Sequence, residues 1–222
     1  MRQRRNAASI LCSSLCAAGL AAAGFAAFNG ASGTAHAEAI DMEARALAPV
    51  YTVDGGHSGV VFSIRHRGVT NFHGRFNKID GSFSFDPENL AAASFKAEIP
   101  VDSVDTGIEK RDEHLRSADF FNARQYPVAS FESTAVRATS TPNHFELDGT
   151  LTLHGETKPI TATLEWIGTG EHRGKPLAGF EANFSIKRAD FGITTYLAED
   201  GGENGGLGNT IDITIFAEGV AE

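Results

Sequence analysis

Successive segments of this chain alternate apolar and polar residues with a period of two, and this pattern restricts the fold more than any other feature. In residues 145–153, Phe, Leu and Gly occupy the odd positions, and Glu, Asp and Thr lie between them. The same alternation recurs in residues 60–66, 81–85, 95–101, 160–166, 180–186 and 211–217. A period of two is typical of strands that bury one face. The chain is therefore predicted to be all-β.

The spacing of these segments predicts an antiparallel barrel or sandwich. With residues 126–136 the chain has about eight strands, and residues 154–157 have the composition of a tight hairpin turn. Residues 107–116 are predicted to form one short helix, with Thr106 as its N-cap. One face of the strands carries Thr, Glu, Asp, Lys and Ser. Because a membrane barrel needs an apolar outer face, the apolar side is predicted to lie inside.

The predicted interior is rich in phenylalanine. The chain has 16 Phe, and many of them lie on the predicted buried face. The interior of an eight-stranded barrel can be filled by side chains or can hold one small ligand. Periodicity alone favours the filled interior.

The amino-terminal segment has the three parts of a secretory signal peptide. Arg2, Arg4 and Arg5 precede an apolar run over residues 7–28, and residues 35–37 read Ala-His-Ala. A retained membrane anchor is the alternative, but glycines and alanines make the run only mildly hydrophobic. The predicted organisation is a signal peptide (1–37), a flexible leader (38–49) and a barrel domain (50–222), with a periplasmic or secreted location. Cleavage would remove both cysteines and change the formal charge from −9 to −12.

Several functions are disfavoured by the residues that remain. An acidic chain without a basic stripe argues against nucleic acid as a partner. No second long apolar run follows, so no integral membrane segment is predicted after signal removal. The seven histidines after residue 37 form no H-x-x-x-H or H-E-x-x-H pair, and no metal site or cofactor is predicted. The Gly-rich residues 201–208 lack a phosphate-loop ending and are predicted to be a flexible loop at a barrel end.

The pair His57-Ser58 is not predicted to be catalytic. A hydrolase usually carries its serine on an elbow such as G-x-S-x-G, and the chain has none. Neighbouring strand residues also point to opposite faces, so His57 is poorly placed to activate Ser58. A turn-stabilising hydroxyl is the preferred interpretation of Ser58, and no catalytic residue is predicted.

Five separated motifs resemble those of the YceI-like family and span Tyr51 to Glu218. They are Tyr51-Thr-Val-Asp54 with the 60–66 strand, Arg111-Asp-Glu-His-Leu115 with residues 117–133, Leu151-Thr-Leu-His-Gly155-Glu-Thr-Lys158-Pro159, Arg188-Ala-Asp-Phe-Gly192 and Ile211-Asp-Ile-Thr-Ile215. The resemblance implies an exported, lipocalin-like barrel of eight antiparallel strands, with a short helix at one end and an apolar cavity holding a long isoprenoid or another amphiphile. Some members are dimers, so a homodimer is one expectation. The implied function is lipid binding for transport, storage or protection, without catalysis. The alternative is an enzyme with a histidine-containing, metal-dependent site at the barrel mouth.

Two sets of candidate ligand-binding residues follow. The interior set comprises Phe62, Ile64, Phe83, Phe85, Phe131, Leu151, Leu153, Leu164, Trp166, Phe180, Phe184, Ile186, Ile213 and Ile215. The mouth set, taken from the family-like motifs at strand ends, comprises Tyr51, Asp54, His57, Arg111, His114, Arg188 and Asp190. For the mouth set, surface ion pairs or hydrogen bonds that hold loops are the alternative roles.

Overall fold

The structure is a computed structural model that describes residues 48–221. The signal peptide and nearly all of the leader predicted from the sequence lie outside the described residues. Within this range, eleven strand segments form a single antiparallel sheet. The strands are β1 (Val50–Val53), β2 (Gly59–His66), β3 (Thr70–Phe76), β4 (Asp80–Ser84), β5 (Ser94–Pro100), β6 (Val104–Asp105), β7 (Val128–Ala138), β8 (His144–Leu153), β9 (Glu156–His172), β10 (Lys175–Lys187) and β11 (Leu207–Ala221).

The eleven segments make eight barrel strands, because the first three barrel strands are each interrupted once. Strands β1 and β2 follow one another along the same partner, pairing with residues 219–221 and 207–216 of β11. Strand β4 pairs with β1, and β3 pairs with β2. On their other edges, β4 pairs with β5 and β3 pairs with β6. From β5 the pairing runs through β7, β8, β9 and β10 to β11, and β11 pairs with β1 to close the ring. The predicted eight-stranded antiparallel barrel is confirmed.

Ser58 holds the interruption between β1 and β2 against β11. Its hydroxyl accepts the backbone N–H of Glu218 at 3.0 Å and lies 3.2 Å from the carbonyl oxygen of Glu218, to which it donates. The side chain thus replaces the ladder hydrogen bonds that the break removes. Ser58 therefore stabilises structure, but across the sheet to β11 rather than within a turn as predicted.

The sequence pattern does not predict strand β3. Its inward positions are Phe72, Gly74 and Phe76, and Gly74 interrupts what would otherwise be an apolar series. Because a glycine carries no side chain to mark the buried face, the alternation in this segment is hidden.

One α-helix, α1 (Glu109–Arg116), follows β6, and it begins later than predicted. Gly107 has φ of +78°, and Ile108 at the N-cap position is extended, so helical geometry cannot begin before residue 109. Thr106 is not the N-cap. Its backbone N–H and hydroxyl instead donate to the carboxylate of Asp112, which is buried in the first turn of the helix. Within residues 48–221, no helix combines the length and apolar character required to cross a bilayer.

The two ends of the barrel differ in the size of their connections. One end, called the mouth here, carries the turn at 67–69, the segment 106–127 with α1, the hairpin turn at 154–155 and the loop 188–206. The hairpin turn predicted at residues 154–157 is present as a two-residue turn, in which His154 and Gly155 have φ of 52° and 82°. The opposite end is closed by the connections 85–93, 139–143 and 173–174.

The half of the interior away from the mouth is filled by an aromatic cluster. The cluster consists of Tyr51, Phe83, Phe85, Phe95, Phe145, Trp166 and Phe180. Ring centroids lie 5.9 Å apart for Phe83 and Phe95, and 4.7 Å apart for Phe85 and Trp166. Such contacts contribute beyond simple area burial. The filled interior that periodicity favours is therefore present, but only in this half of the barrel.

Candidate ligand-binding cavity

The mouth half of the barrel encloses a cavity of about 580 Å³. Its walls are inward-facing apolar side chains of the strands, together with residues of α1 and the mouth loops. Exposed residues such as Arg67, Asn71 and Tyr196 belong to the lining, so the cavity reaches the surface at the mouth. Along β2 the lining runs from Val60 to His66, which corresponds to roughly 15 Å along the barrel axis at the usual strand rise and tilt.

Nine of the predicted interior residues line this cavity. They are Phe62, Ile64, Phe131, Leu151, Leu153, Phe184, Ile186, Ile213 and Ile215. The other five, Phe83, Phe85, Leu164, Trp166 and Phe180, do not line it and pack in the far half of the barrel. Alternation along a strand reveals which face a residue occupies, but it does not reveal the height of that residue along the barrel axis.

Three of the lining residues form the floor of the cavity. Phe131, Phe184 and Ile215 line the cavity and also border a second void of about 30 Å³, which reaches Phe83 and Phe180. These three side chains therefore separate the cavity from the aromatic cluster.

Only some of the predicted mouth residues line the cavity. Arg111, His114 and Arg188 line the cavity. Tyr51 does not, because it is buried in the aromatic cluster with its ring centroid 5.1 Å from that of Phe83. Asp190 lies in the single helical turn Arg188–Phe191 and is also outside the lining.

Asp54 and His57 lie at the interruption between β1 and β2, and neither lines the cavity. His57 Nδ1 is 2.9 Å from Asp54 Oδ2 and 3.8 Å from Glu218 Oε1. The hydrogen bond between the two side chains raises the pKa of the exposed His57 imidazole and lowers the pKa of the Asp54 carboxyl. One potential metal-ligating atom from each of Asp54, His57 and Glu218 lies within 4.8 Å of the others. Asp54 and His57 therefore form a surface ion pair, which is the alternative role given for the mouth set.

Arg188 is the most buried charged residue of the cavity lining, at 1% exposure. Its guanidinium donates to the carbonyl oxygens of Gly208 (2.7 Å), Ile193 (2.8 Å), Thr195 (2.9 Å) and Leu207 (3.1 Å). Burial lowers the pKa of this guanidinium, and the charge of Glu203 acts in the opposite direction. The side chain thereby fixes both ends of the mouth loop that follows β10.

Arg111 is held at the mouth by its neighbours rather than by an acid. Its Nε donates to Thr106 Oγ1 and its Nη2 to the Thr106 carbonyl oxygen, both at 2.8 Å. The guanidinium carbon lies 4.2 Å from the centroid of the Phe72 ring, which is a cation–π geometry. Because Thr106 is itself bound by Asp112, the short α1 helix positions Arg111 over the cavity.

Part of the mouth is not predicted by the sequence pattern. Arg67, Phe72, Phe121 and Tyr196 line the cavity, although none of them is among the candidate residues. His66 continues the inward-facing series of Val60, Phe62 and Ile64 in the sequence alternation, but it is exposed at the end of β2 and also lines the cavity. These residues lie at strand ends and on connections, where no periodicity marks a buried face.

The Gly-rich loop lies at a barrel end, as predicted, and side-chain hydrogen bonds connect it to the start of β11. Glu203 Oε1 accepts the backbone N–H of Thr210 at 2.9 Å, and Glu203 Oε2 accepts that of Asn209 at 3.1 Å. Asn209 Nδ2 also donates to the carbonyl oxygen of Gly201 at 2.9 Å. These bonds and those of Arg188 hold the loop against the start of β11.

Comparison with known proteins agrees with the fold and the sequence motifs. The sequence signature of the YceI-like domain matches residues 51–218, which covers the barrel. This chain belongs to the YceI-like family. A UPF0312 protein of Vibrio cholerae is 38% identical over 191 residues, covering 86% of this chain and 96% of the relative. Protein YceI of Escherichia coli O157:H7 is 41% identical over 180 residues, covering 80% and 90%.

Solved structures show the same YceI-like fold. The Campylobacter jejuni YCEI protein aligns with a TM-score of 0.60 at 29% identity, over 69% of this chain and 87% of that one. Burkholderia cenocepacia BcnA aligns with a TM-score of 0.63 at 23% identity, over 75% and 98%. A polyisoprenoid binding domain from Saccharophagus degradans aligns with a TM-score of 0.59 at 18% identity, over 78% and 98%.

Proposed function

We propose that this protein binds one long apolar amphiphile of the isoprenoid type, with its chain inside the barrel and its polar end at the mouth. The observation that carries the proposal is the cavity of about 580 Å³, lined mainly by apolar side chains and reaching the surface at one end. Its volume lies within the range of about 300–1,000 Å³ that is usual for small-molecule sites. The proposed role of binding is transport, storage or protection of the lipid.

The energetics of such binding require few polar contacts. Burial of an apolar chain contributes about 0.8 kcal/mol per methylene. Association costs several kcal/mol in lost translational, rotational and conformational freedom. A chain that fills roughly 15 Å of the barrel offsets this cost through apolar contact alone.

Two comparisons support the isoprenoid class. The chain is a member of the YceI-like family, and one protein of the same fold is described as a polyisoprenoid binding domain. The floor of the cavity is also compatible with an unsaturated, methyl-branched chain, because it consists of the apolar side chains of Phe131, Phe184 and Ile215.

The proposal includes export. Arg2, Arg4 and Arg5, the apolar run 7–28 and the Ala-His-Ala ending at residue 37 have the organisation of a cleaved signal peptide. The proposed mature protein begins at Glu38 and acts in the periplasm or outside the cell.

The proposed function is tested by identifying what the protein carries. The full chain is expressed with its own amino terminus, purified without detergent and extracted with organic solvent for mass spectrometry. We expect about one apolar molecule per barrel. Ala129→Phe places a ring in the cavity, whereas Ser130→Phe places the same ring on the outer face of β7. Extractable lipid should fall in the first variant and persist in the second. A wild-type protein that releases no lipid and binds no added farnesol would contradict the proposal.

A further inference from the structure

The charged side chains that line the cavity all have one sign. Among the described residues of the lining, Arg67, Arg111 and Arg188 are cationic, and His66 and His114 are the other titratable side chains apart from Tyr196. No Asp or Glu belongs to this lining, although the whole chain has a formal charge of −9. The charged groups of the lining are therefore cationic, although the mouth connections themselves carry carboxylates, among them Asp119, which pairs with His114, and Glu203.

Arg188 is buried without a hydrogen bond to a carboxylate, although the charge of Glu203 acts on it. All four of its hydrogen bonds within residues 48–221 go to backbone carbonyl oxygens. These bonds use four of the five guanidinium N–H groups, and the second N–H of Nη2 is not among them. Buried charges are normally paired, because carbonyl dipoles replace only part of the solvation that water provides. An anion in the adjacent cavity would complete this compensation.

Arg67 and Arg111 make no ion pair in the part of the chain that the structure describes, and the same is true of Arg65, Arg124 and Arg173, whereas three other arginines are paired. Arg75 pairs with Asp105, Arg116 with Glu109 and Arg137 with Glu146, each within 2.9 Å. Arg111 uses Nε and Nη2 on Thr106, which leaves Nη1 for a further acceptor. The planar guanidinium fork suits carboxylate and phosphate oxygens.

From this arrangement we infer that the cavity selects amphiphiles whose polar end is an anion, either a carboxylate or a phosphate. The apolar chain lies among the strand residues, and the acidic head lies at the mouth with Arg67 and Arg111, in the field of Arg188. This inference rests on the proposed function, because it specifies the head of the molecule whose chain fills the barrel. The alternative is that Arg188 only holds the mouth loop and that the head contributes nothing to affinity.

The test compares ligands with the same chain and different heads. Dodecanoate, dodecan-1-ol and dodecylamine form one series, and farnesyl phosphate and farnesol form another, each below its critical micelle concentration. Dissociation constants are measured by displacement of a fluorescent apolar probe at low ionic strength. We expect each acid to bind about tenfold to a hundredfold more tightly than its alcohol, which corresponds to a charge-assisted hydrogen bond. Comparison of the acid-to-alcohol affinity ratio between the two series shows whether the mouth prefers a carboxylate or a phosphate head.

Variants assign the preference to the mouth. In Arg67→Gln/Arg111→Gln the ratio of acid to alcohol affinity should fall below about threefold. Arg65→Gln makes the same kind of charge change on the outer face of β2 and should keep the ratio. Circular dichroism and urea midpoints verify that each variant is folded. Inorganic phosphate alone should compete only weakly, since the chain supplies most of the affinity.

The outcomes separate this inference from the proposed function. Equal affinities for dodecanoate, dodecan-1-ol and dodecylamine would overturn the inference and leave lipid binding intact. The inference is equally overturned if Arg65→Gln removes the preference as fully as the double variant does. Competition by inorganic phosphate as strong as that by farnesyl phosphate would also overturn it. Failure of every chain to bind would contradict the proposed function itself.

Discussion

The ring of Phe62 lies against Gly74, its direct partner on the neighbouring strand. A Cβ atom on residue 74 would lie 2.3 Å from Phe62 Cζ. Phe131 lies in the same way against Gly149, which pairs directly with Ser133, and a Cβ on residue 149 would lie 2.3 Å from the Phe131 ring. The two glycines leave room for the Phe62 and Phe131 rings to lie over the neighbouring strand. The cavity therefore depends on residues that have no side chain.

Gly74→Ala should reduce both the cavity and the stability. The new methyl group forces the Phe62 ring inward, and overpacking of this kind costs about 1–3 kcal/mol. We expect weaker binding of farnesol and a lower urea midpoint. Gly170→Ala is the control, because a Cβ there meets nothing within 4 Å and alanine is favoured over glycine in a strand. If the two variants behaved alike in both measurements, the Phe62–Gly74 contact would not shape the cavity.

Phe184→Ala should deepen the cavity at a smaller cost than Phe83→Ala. Phe184 separates the cavity from the void of about 30 Å³, whereas Phe83 is 1% exposed within the aromatic cluster. Truncation of a packed Phe costs about 3–5 kcal/mol. A lipid chain that extends into the gap at residue 184 offsets part of that loss.

For Phe184→Ala and Phe83→Ala, we would measure the urea midpoint and the chain length of the ligand beyond which affinity no longer increases. Asn183→Ala, on the outer face of β10, should change stability by less than about 0.5 kcal/mol. A larger effect at Asn183 than at Phe184 would reverse the assignment of inner and outer faces on β10.

Ionisation of the Asp105 carboxyl should contribute to the dependence of the free energy of unfolding on pH in the acid range. Hydrogen bonds from the Gly107 N–H, the Asn77 amide and the Arg75 guanidinium lower its pKa to about 2. Because the pKa is lower in the folded state, the contribution is present above the ordinary value near 3.8 and is lost as the pH falls towards about 2. Asp105→Asn should be less stable than wild type at neutral pH, and the difference should shrink between about pH 4 and pH 2. Urea midpoints across this range measure the difference. A difference that stayed constant with pH would show that ionisation of Asp105 is not its source.

The faces of the strands could be predicted well from the sequence, and the interior only in part. The alternation in residues 145–153 follows from the pleat, and Phe145, Leu147, Leu151 and Leu153 are all buried. The same alternation could not distinguish Phe83 in the filled half from Phe184 at the cavity floor, because position along the barrel axis depends on the pairing of all eight strands. Arg67 and Tyr196 escaped prediction because turns, rather than strand periodicity, bring them to the mouth.

Export should yield a protein that starts at Glu38. The charged start, the apolar run and the Ala-His-Ala site together predict this cleavage. Intact-mass measurement of the secreted or periplasmic form checks it. A mature protein that kept Cys12 and Cys16 would contradict the predicted signal peptide.

The most direct test of the central claim is the dependence of affinity on chain length. Saturated fatty acids of increasing length are titrated into lipid-free protein. Each added methylene should tighten binding by about fourfold, which corresponds to about 0.8 kcal/mol, until the chain fills the cavity depth of roughly 15 Å. Beyond that length, the affinity should level off. An affinity that does not change with chain length, or the absence of binding at every length, would contradict a barrel that holds one apolar chain.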